Sequence, residues 1–440
     1  MQKKVSYLAL WAMAWPMLLS NISVPLLGLV DTAILGHLDS AKYLAAVAMG
    51  ASVIGFIYWS FNFLRMSTTA STAQAIGRDD QQESELVGFR AAIVGLFIGL
   101  ILFVFHPPLV DLVVAQMGDN NEVKQLAIEY IGIRIYSAPA VLISYALIGW
   151  FIGNKQAKVP LMLVVVTNSI NIVLDYTFVI HWNMNSAGAA WATLVAEYSA
   201  ATLAVLFYLK HSKSPLSKLR LALNKTKLLA LLAINRPLFV RTVILLGSFL
   251  FFTTQGANQG SDIVATNAII MNLILTISFA MDGYAHACEA YCGEALGRKD
   301  MPMFFLTIRY CLHFCIGTAV LFTVFFISAQ TVLISLFTTI AHIQILAAEY
   351  WIWLVIAPAI SFLTYLFDGV FIAGSDTKAM QNTLIFSAFG VYFPVWYFSQ
   401  GMGNHGLWLA FSCFTVARFA SLYLCYRRNN TQLSWPPLQQ

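Results

Sequence analysis

Two stretches of this sequence run for the width of a bilayer without a single Asp, Glu, Lys or Arg: Tyr43 to Leu64, 22 residues, and Ile135 to Asn154, 20 residues. A hydrocarbon core is crossed by roughly 20 apolar residues in a helix. Only helices and closed barrels satisfy every backbone N–H and C=O inside it. Barrel strands alternate polar and apolar residues, and these runs do not. The expected class is therefore an all-α integral membrane protein. Composition agrees: 59% of the residues are apolar and 10% are charged, against about 25% charged in a soluble domain. Twenty acids and 25 bases cannot coat a water-facing surface of this size. The net charge of +5 does not call for nucleic acid, because cytoplasmic loops of membrane proteins collect Lys and Arg.

Turn signals divide the chain into twelve expected spans, near residues 8–35, 43–70, 88–106, 124–152, 159–181, 187–209, 233–256, 263–293, 303–327, 343–373, 379–399 and 405–426. The run from Tyr310 to Ala348 is uncharged for 39 residues, too long for one crossing. It is divided near Ala329-Gln330, and the residues from there to the next span are read as an apolar connection. Leu8 to Leu35 is too long for a signal-peptide core, and Trp11, Trp15 and Pro16 do not fit a cleavage site, so it is read as the first membrane helix.

With the N-terminus in the cytoplasm, 17 Lys and Arg fall on that side and two, Lys42 and Lys124, on the other. This split places both termini in the cytoplasm. One missed span would reverse every later loop and spoil the ratio.

The chain also repeats itself at an offset of 220. Gln74-Ala75-Ile76-Gly77-Arg78-Asp79-Asp80 matches Glu294-Ala295-Leu296-Gly297-Arg298-Lys299-Asp300, Leu126–Tyr130 matches Leu346–Tyr350, and Phe151-Ile152-Gly153 matches Phe371-Ile372-Ala373. The offset covers six helices, an even number, so the two copies share one orientation. The expected organisation is an N-terminal lobe over 1–209, a basic cytoplasmic linker over 210–232 and a C-terminal lobe over 233–440. Parallel repeats of this kind hold substrate near the midplane and alternate access by moving one half against the other.

Acids inside membrane spans are functional candidates by default. Asp31 stands alone in the first span, with Pro16, Pro25 and Gly28 marking places where that helix can bend. In the fifth span Asn168, Asn171 and Asp175 sit at i, i+3 and i+7 and share one face. Two facing carboxyls out of water are the chemistry of a site that takes a proton on one side and yields it on the other. At the repeat offset Asp31 meets Phe251 and Asp175 meets Val395, so the scaffold itself does not require them. The second half carries its own candidates, Asp282, Glu289 and Asp368, and the sixth span carries Glu197. Trp59, Tyr136, Tyr145 and Trp150 are rings that a cavity or a lipid contact would use.

Other features carry less. Cys288/Cys292 and Cys311/Cys315 are spaced i,i+4, but without a nearby His and carboxylate set they read as small apolar residues rather than metal ligands. Asp79-Asp80-Gln81-Gln82-Glu83 is a faint echo of an acidic Mg²⁺ motif, and acids there suit the start of the third helix instead. No Gly-rich phosphate loop with its Lys occurs, so ATP is not the expected energy source. No nucleophile and base pair suggests an enzyme.

Val30-Asp31-Thr32-Ala33-Ile34-Leu35-Gly36-His37-Leu38, with Pro16 before it and Ala73-Gln74-Ala75-Ile76-Gly77-Arg78 after it, resembles the opening of the multidrug and toxic compound extrusion (MATE) family. Phe279–Ala285, Gly293–Gly297 and Asp368–Gly374 resemble its DinF-like branch. The resemblance covers nearly the whole chain. It implies a two-lobed, V-shaped fold of six plus six helices. It also implies export of cationic or amphiphilic drug-like molecules driven by inward H⁺ or Na⁺, with no cofactor. The family's cation site falls here on Asp31, Asn171, Asp175 and Thr193, and its first-helix bend falls on Pro16. An aromatic hydroxyl that some relatives place one turn before the first-helix Asp is Leu27 here. The reading is a monomeric, multi-pass antiporter of the bacterial inner membrane. A flippase for lipid-linked precursors is the alternative within the same superfamily, and an intramembrane enzyme a more distant one.

Overall fold

The computed structural model describes residues 5–36, 38, 40–114, 121–212 and 224–438. Those residues form helices and their turns, with no strand among them. The first half runs α1 (Tyr7–Gly36), α2 (Ala41–Ser60), α3 (Phe63–Gly77), α4 (Gln81–Val114), α5 (Asn121–Arg134), α6 (Ala138–Gly153), α7 (Lys158–Asp175) and α8 (Asn185–His211). The second runs α9 (Lys225–Ala257), α10 (Ser261–Gly297), α11 (Met301–Ser328), α12 (Gln330–Phe337), α13 (Ala341–Ala373), α14 (Thr377–Ile385), α15 (Phe393–Ser399) and α16 (Asn404–Gln432). A π-helical stretch, Tyr176–His181, extends α7, and another, Phe386–Tyr392, joins α14 to α15.

Among the described residues ten helical stretches have the length and apolarity of a membrane crossing, α2 with α3 and α5 with α6 each forming one. Helix α1 and the continuous helical stretch 377–399 fall on the other two expected spans. Each expected span is matched by helix, and every one of them is longer at one or both ends. Helix α4 shows why: its 34 residues extend about 50 Å, well beyond a core of about 30 Å. Its first turns carry Glu83 and Arg90, paired at 2.9 and 3.0 Å. The apolar connection expected after Ala329 is instead the two-turn helix α12, on which Val332 and Leu336 are exposed.

The repeat is written into the turns. Non-glycine residues adopt positive φ at Asp79 (57°) and Lys299 (59°), and again at Lys155 (59°) and Ser375 (54°). Both pairs are 220 residues apart. Each turn closes a helix with matched bonds: Asp80 N to Ala75 O at 3.0 Å and Asp300 N to Ala295 O at 2.9 Å. The next helix is then capped by the same acid, Asp80 Oδ1 accepting from Glu83 N and Asp300 Oδ1 from Met303 N, both at 2.9 Å. The acidic run 79–83 thus caps and pairs at a helix start. Close helix contacts repeat too. A β-carbon on Gly149 would overlap the Arg65 carbonyl, and one on Gly369 would lie 2.8 Å from the Ala285 carbonyl. Small residues let membrane helices approach this closely.

Packing divides the chain into two compact units, Leu19–Ala233 and Met1–Leu18 with Ile234–Gln440. The expected division at the 210–232 linker follows the repeat. The compact units depart from it because the opening turns of α1 and α9 pack within the unit formed by the other half. In the unit containing the second repeat, Tyr7 of α1 lies against Tyr310 of α11, ring centroids 4.0 Å apart, and Trp11 stacks on Phe314 at 5.9 Å. In the unit containing the first repeat, Lys227 of α9 reaches Glu83 at 3.5 Å. Residues 213–223 of the linker lie outside the described part.

Candidate functional site

Three helices of the first-repeat unit build the site: α1, α7 and α8. On α7 the shared face is realised. Asn171 and Asp175 are 0% and 1% exposed. Asn168 Nδ2 donates to the Ser23 carbonyl of α1 at 3.2 Å, tying the two helices together. Asn171 Nδ2 donates to Thr193 Oγ1 of α8 at 3.2 Å, and Thr193 in turn donates to its own helix at the Ala189 carbonyl, 2.9 Å. Asp31 of α1, half-buried, meets Asp175 in side-chain contact. The four residues expected to act together, Asp31, Asn171, Asp175 and Thr193, are therefore assembled from helices up to 162 positions apart, Asp31 to Thr193.

The donors run out before the acceptors do. Asp31 Oδ1, both Asp175 carboxyl oxygens and Asn171 Oδ1 are buried without a hydrogen-bond donor. Two carboxylates in contact cannot bond to each other unless one holds a proton. Buried acceptors left bare are costly, and a donor or a positive charge placed among them would relieve that cost.

Arg134 lies within electrostatic reach of both acids but is committed elsewhere. Its guanidinium forks onto Glu197 of α8 at 2.5 and 2.9 Å, and it also reaches Ser137 at 3.2 Å. Glu197 has no charged neighbour in sequence; its partner stands 63 residues away. Sequence reasoning passed over Arg134, although an arginine within a membrane span is itself a signal.

At the repeat position the second half packs rings instead. Phe251 of α9 has Phe393, Trp396 and Tyr392 around it at 4.9, 5.0 and 5.5 Å between ring centroids. The scaffold closes there without acids.

Apart from the α1 prolines, the remaining candidates sit on other segments. Asp368 of α13 accepts from Arg241 of α9 and from Arg418 of α16, the latter at 3.0 Å. Glu289, 1% exposed, contacts His286 Nδ1 at 3.3 Å on α10. Asp282 is within electrostatic reach of Tyr365. In the first-repeat unit Trp59 and Tyr136 are exposed, and the Tyr136 carbonyl accepts from Tyr198 at 2.8 Å. Trp150 is a core ring whose Nε1 donates to the Ser84 carbonyl at 2.9 Å. Pro16 is buried in α1, two residues before the point where that helix passes from one compact unit to the other. The backbone at Pro25 is helical, while its side chain lies outside the described residues.

Comparison with known proteins points one way. A family model described as MatE matches residues 16–177 and again residues 237–398. The DNA damage-inducible protein F of Escherichia coli (strain K12) is 38% identical over 431 residues, 97% of this chain and 93% of that one. The Vibrio cholerae MATE transporter VcmN superposes with a TM-score of 0.86 at 21% identity, over 99% of this chain and 98% of that one. An outward-facing multidrug resistance MATE family transporter of the MOP superfamily gives 0.85 at 20% identity, over 97% and 96%. At these identities the structural likeness speaks for the fold.

Proposed function

The chain belongs to the multidrug and toxic compound extrusion family of multi-pass membrane transporters, and from that premise we propose that it exports drug-like organic amphiphiles in exchange for H⁺, by alternating access. The family is one of transporters, not of enzymes. The observation that carries the coupling half of this reading is the Asp31–Asp175 contact, with four buried acceptor oxygens short of donors.

A proton entering between the two carboxyls supplies the missing donor and removes one charge from an apolar interior. Losing it restores repulsion between them. Each state favours a different packing of α1 on α7. A ligand shifts such an equilibrium only by its differential affinity for the two states, and proton occupancy has that property here. Pro16 lacks the N–H that would bond the Ala12 carbonyl, which gives α1 a weak point at which to respond. Asn171 and Thr193 orient the Asp175 side of the site and do not titrate.

The cytoplasmic placement of both termini, in the bacterial inner membrane, rests on the 17-to-2 distribution of basic residues. The experiment is efflux from proteoliposomes under an imposed pH gradient, with and without Na⁺. Export driven by the gradient in Na⁺-free buffer is the expected result. Export that appears only with a Na⁺ gradient would reassign the same oxygens to Na⁺, and the proton reading would fall.

A further inference from the structure

Arg134 and Glu197 of the first-repeat unit make a one-to-one pair, bonded through two nitrogens and two oxygens at 2.5 and 2.9 Å. In the other unit two guanidiniums, Arg241 and Arg418, converge on a single oxygen, Asp368 Oδ2. Their side chains are 6% and 13% exposed, and that of Asp368 is 16% exposed. Arg241 stands midway along α9 and Arg418 midway along α16, so the cluster sits at the middle of two membrane-crossing helices. The Arg418 guanidinium also lies over the Phe414 ring, 5.7 Å from its centroid.

A guanidinium has five N–H donors in a planar fork and keeps its charge under all ordinary conditions. Two of them on one carboxylate oxygen bring one positive charge more than that carboxylate balances. Unbalanced charge at the centre of a membrane is costly and marks a substrate or ion pathway. A helix-packing role would be met by a one-to-one pair, as Arg134 and Glu197 show in the same molecule. Asp282 of α10, within electrostatic reach of Tyr365, which also feels Arg418 and Asp368, belongs to the wider neighbourhood.

We propose that Arg241 and Arg418 form a binding subsite for the acidic group of an organic anion, a carboxylate or sulfonate on an amphiphilic body. Asp368 acts there as the internal occupant that such a group competes with or joins. Oxyanions that present two oxygens side by side, as carboxylates and sulfonates do, match the guanidinium fork, and the Phe414 ring offers apolar surface beside it. The inference rests on the export reading and deepens it by naming the charge class of one substrate group. It separates this half of the molecule from the acid-lined site of the other.

The test is equilibrium binding to the purified full chain in detergent, with empty micelles as background. The two probes are anilinonaphthalene sulfonate and phenylnaphthylamine, which lacks the sulfonate, and the readout is energy transfer from tryptophan. The wild-type protein is expected to prefer the sulfonate by about tenfold, the size of a charge-assisted hydrogen-bond pair. Arg418→Gln and Arg241→Gln should each remove most of that preference while leaving phenylnaphthylamine affinity within about twofold. Arg418→Lys should retain part of it. Asp368→Asn frees both guanidiniums and should tighten the sulfonate several-fold. Every variant is required to give the wild-type gel-filtration profile, and Arg418→Gln leaves Asp368 still paired to Arg241. Equal wild-type affinity for the two probes, or weaker sulfonate binding in Asp368→Asn, overturns the proposal. Because binding needs no gradient, a protein that prefers the sulfonate but exports nothing would sink the export reading alone. Export without sulfonate preference would sink only this one.

Discussion

The Arg134–Glu197 pair shows how a single residue can serve the site without belonging to it. Both acids of the site feel Arg134, yet its N–H groups are turned to Glu197. Glu197→Gln would strand a buried guanidinium, which costs about 3–5 kcal/mol. The thermal midpoint in detergent should fall accordingly, and the loosened Arg134 should be drawn toward Asp175 and compete with the proton there. A double change to Arg134→Leu and Glu197→Leu removes both charges and should recover much of the lost stability. If the single and double variants melt alike, the pair is not what holds this part of the unit. At this scale the sequence was legible where contacts are local. Asn168, Asn171 and Asp175 fall on one face by helical period alone, and the structure turns that face toward α1 and α8. The arginine pairings of Glu197 and Asp368 join helices 63, 127 and 50 residues apart, and no periodicity points across such distances.

At the scale of the elements, uncharged runs and turn residues located every crossing, since lipid leaves the backbone no other option. Two features escaped. α12 replaces an expected connection because its residues are as apolar as those of a span and differ only in length. The opening turns of α1 and α9 pack within the unit of the other repeat, a choice made by the tertiary partners of Tyr7, Trp11 and Lys227 rather than by their own neighbours. Helix approach is a further element-level property, and the glycines test it. Gly149→Ala drives a β-carbon into the Arg65 carbonyl, forcing α3 and α6 apart, and should cost about 1–3 kcal/mol. Gly317→Ala, in α11, meets nothing within 4 Å and should be neutral or slightly stabilising, because alanine favours helix over glycine by about 1 kcal/mol. Thermal melts of the two variants in one detergent provide the comparison. Equal destabilisation would mean that the close α3–α6 contact is not what fixes the glycine.

For the whole molecule, the decisive property is a symmetric scaffold carrying an asymmetric site. Matched turns at Asp79 and Lys299, matched caps at Asp80 and Asp300, and matched glycine contacts at Gly149 and Gly369 show one six-helix plan used twice. Its orientation is checked by reporters: one fused after Lys218 should be cytoplasmic and one within Gly118 to Glu122 periplasmic, and the reverse at either point would break the twelve-crossing topology. On that doubled plan Asp31 and Asp175 occupy one half, while Phe251 and its rings fill the equivalent place in the other. Proton coupling through a duplicated site would survive the loss of one copy at about half the rate. Coupling through a single site would not survive it at all. Asp31→Asn keeps the shape, removes one titrating carboxyl and supplies a permanent amide donor beside Asp175, so it should hold the site in its proton-loaded form. Drug uptake into everted membrane vesicles energised by a pH gradient is therefore expected to drop to the level of vesicles without the protein. The purified variant should keep a single sharp gel-filtration peak. Uptake that persists near half the wild-type rate in a well-folded Asp31→Asn protein would instead reveal a second coupling site. It would have to be sought in the other unit, at Asp282 or at Glu289 with its His286 partner, because Asp368 is already held between two guanidiniums.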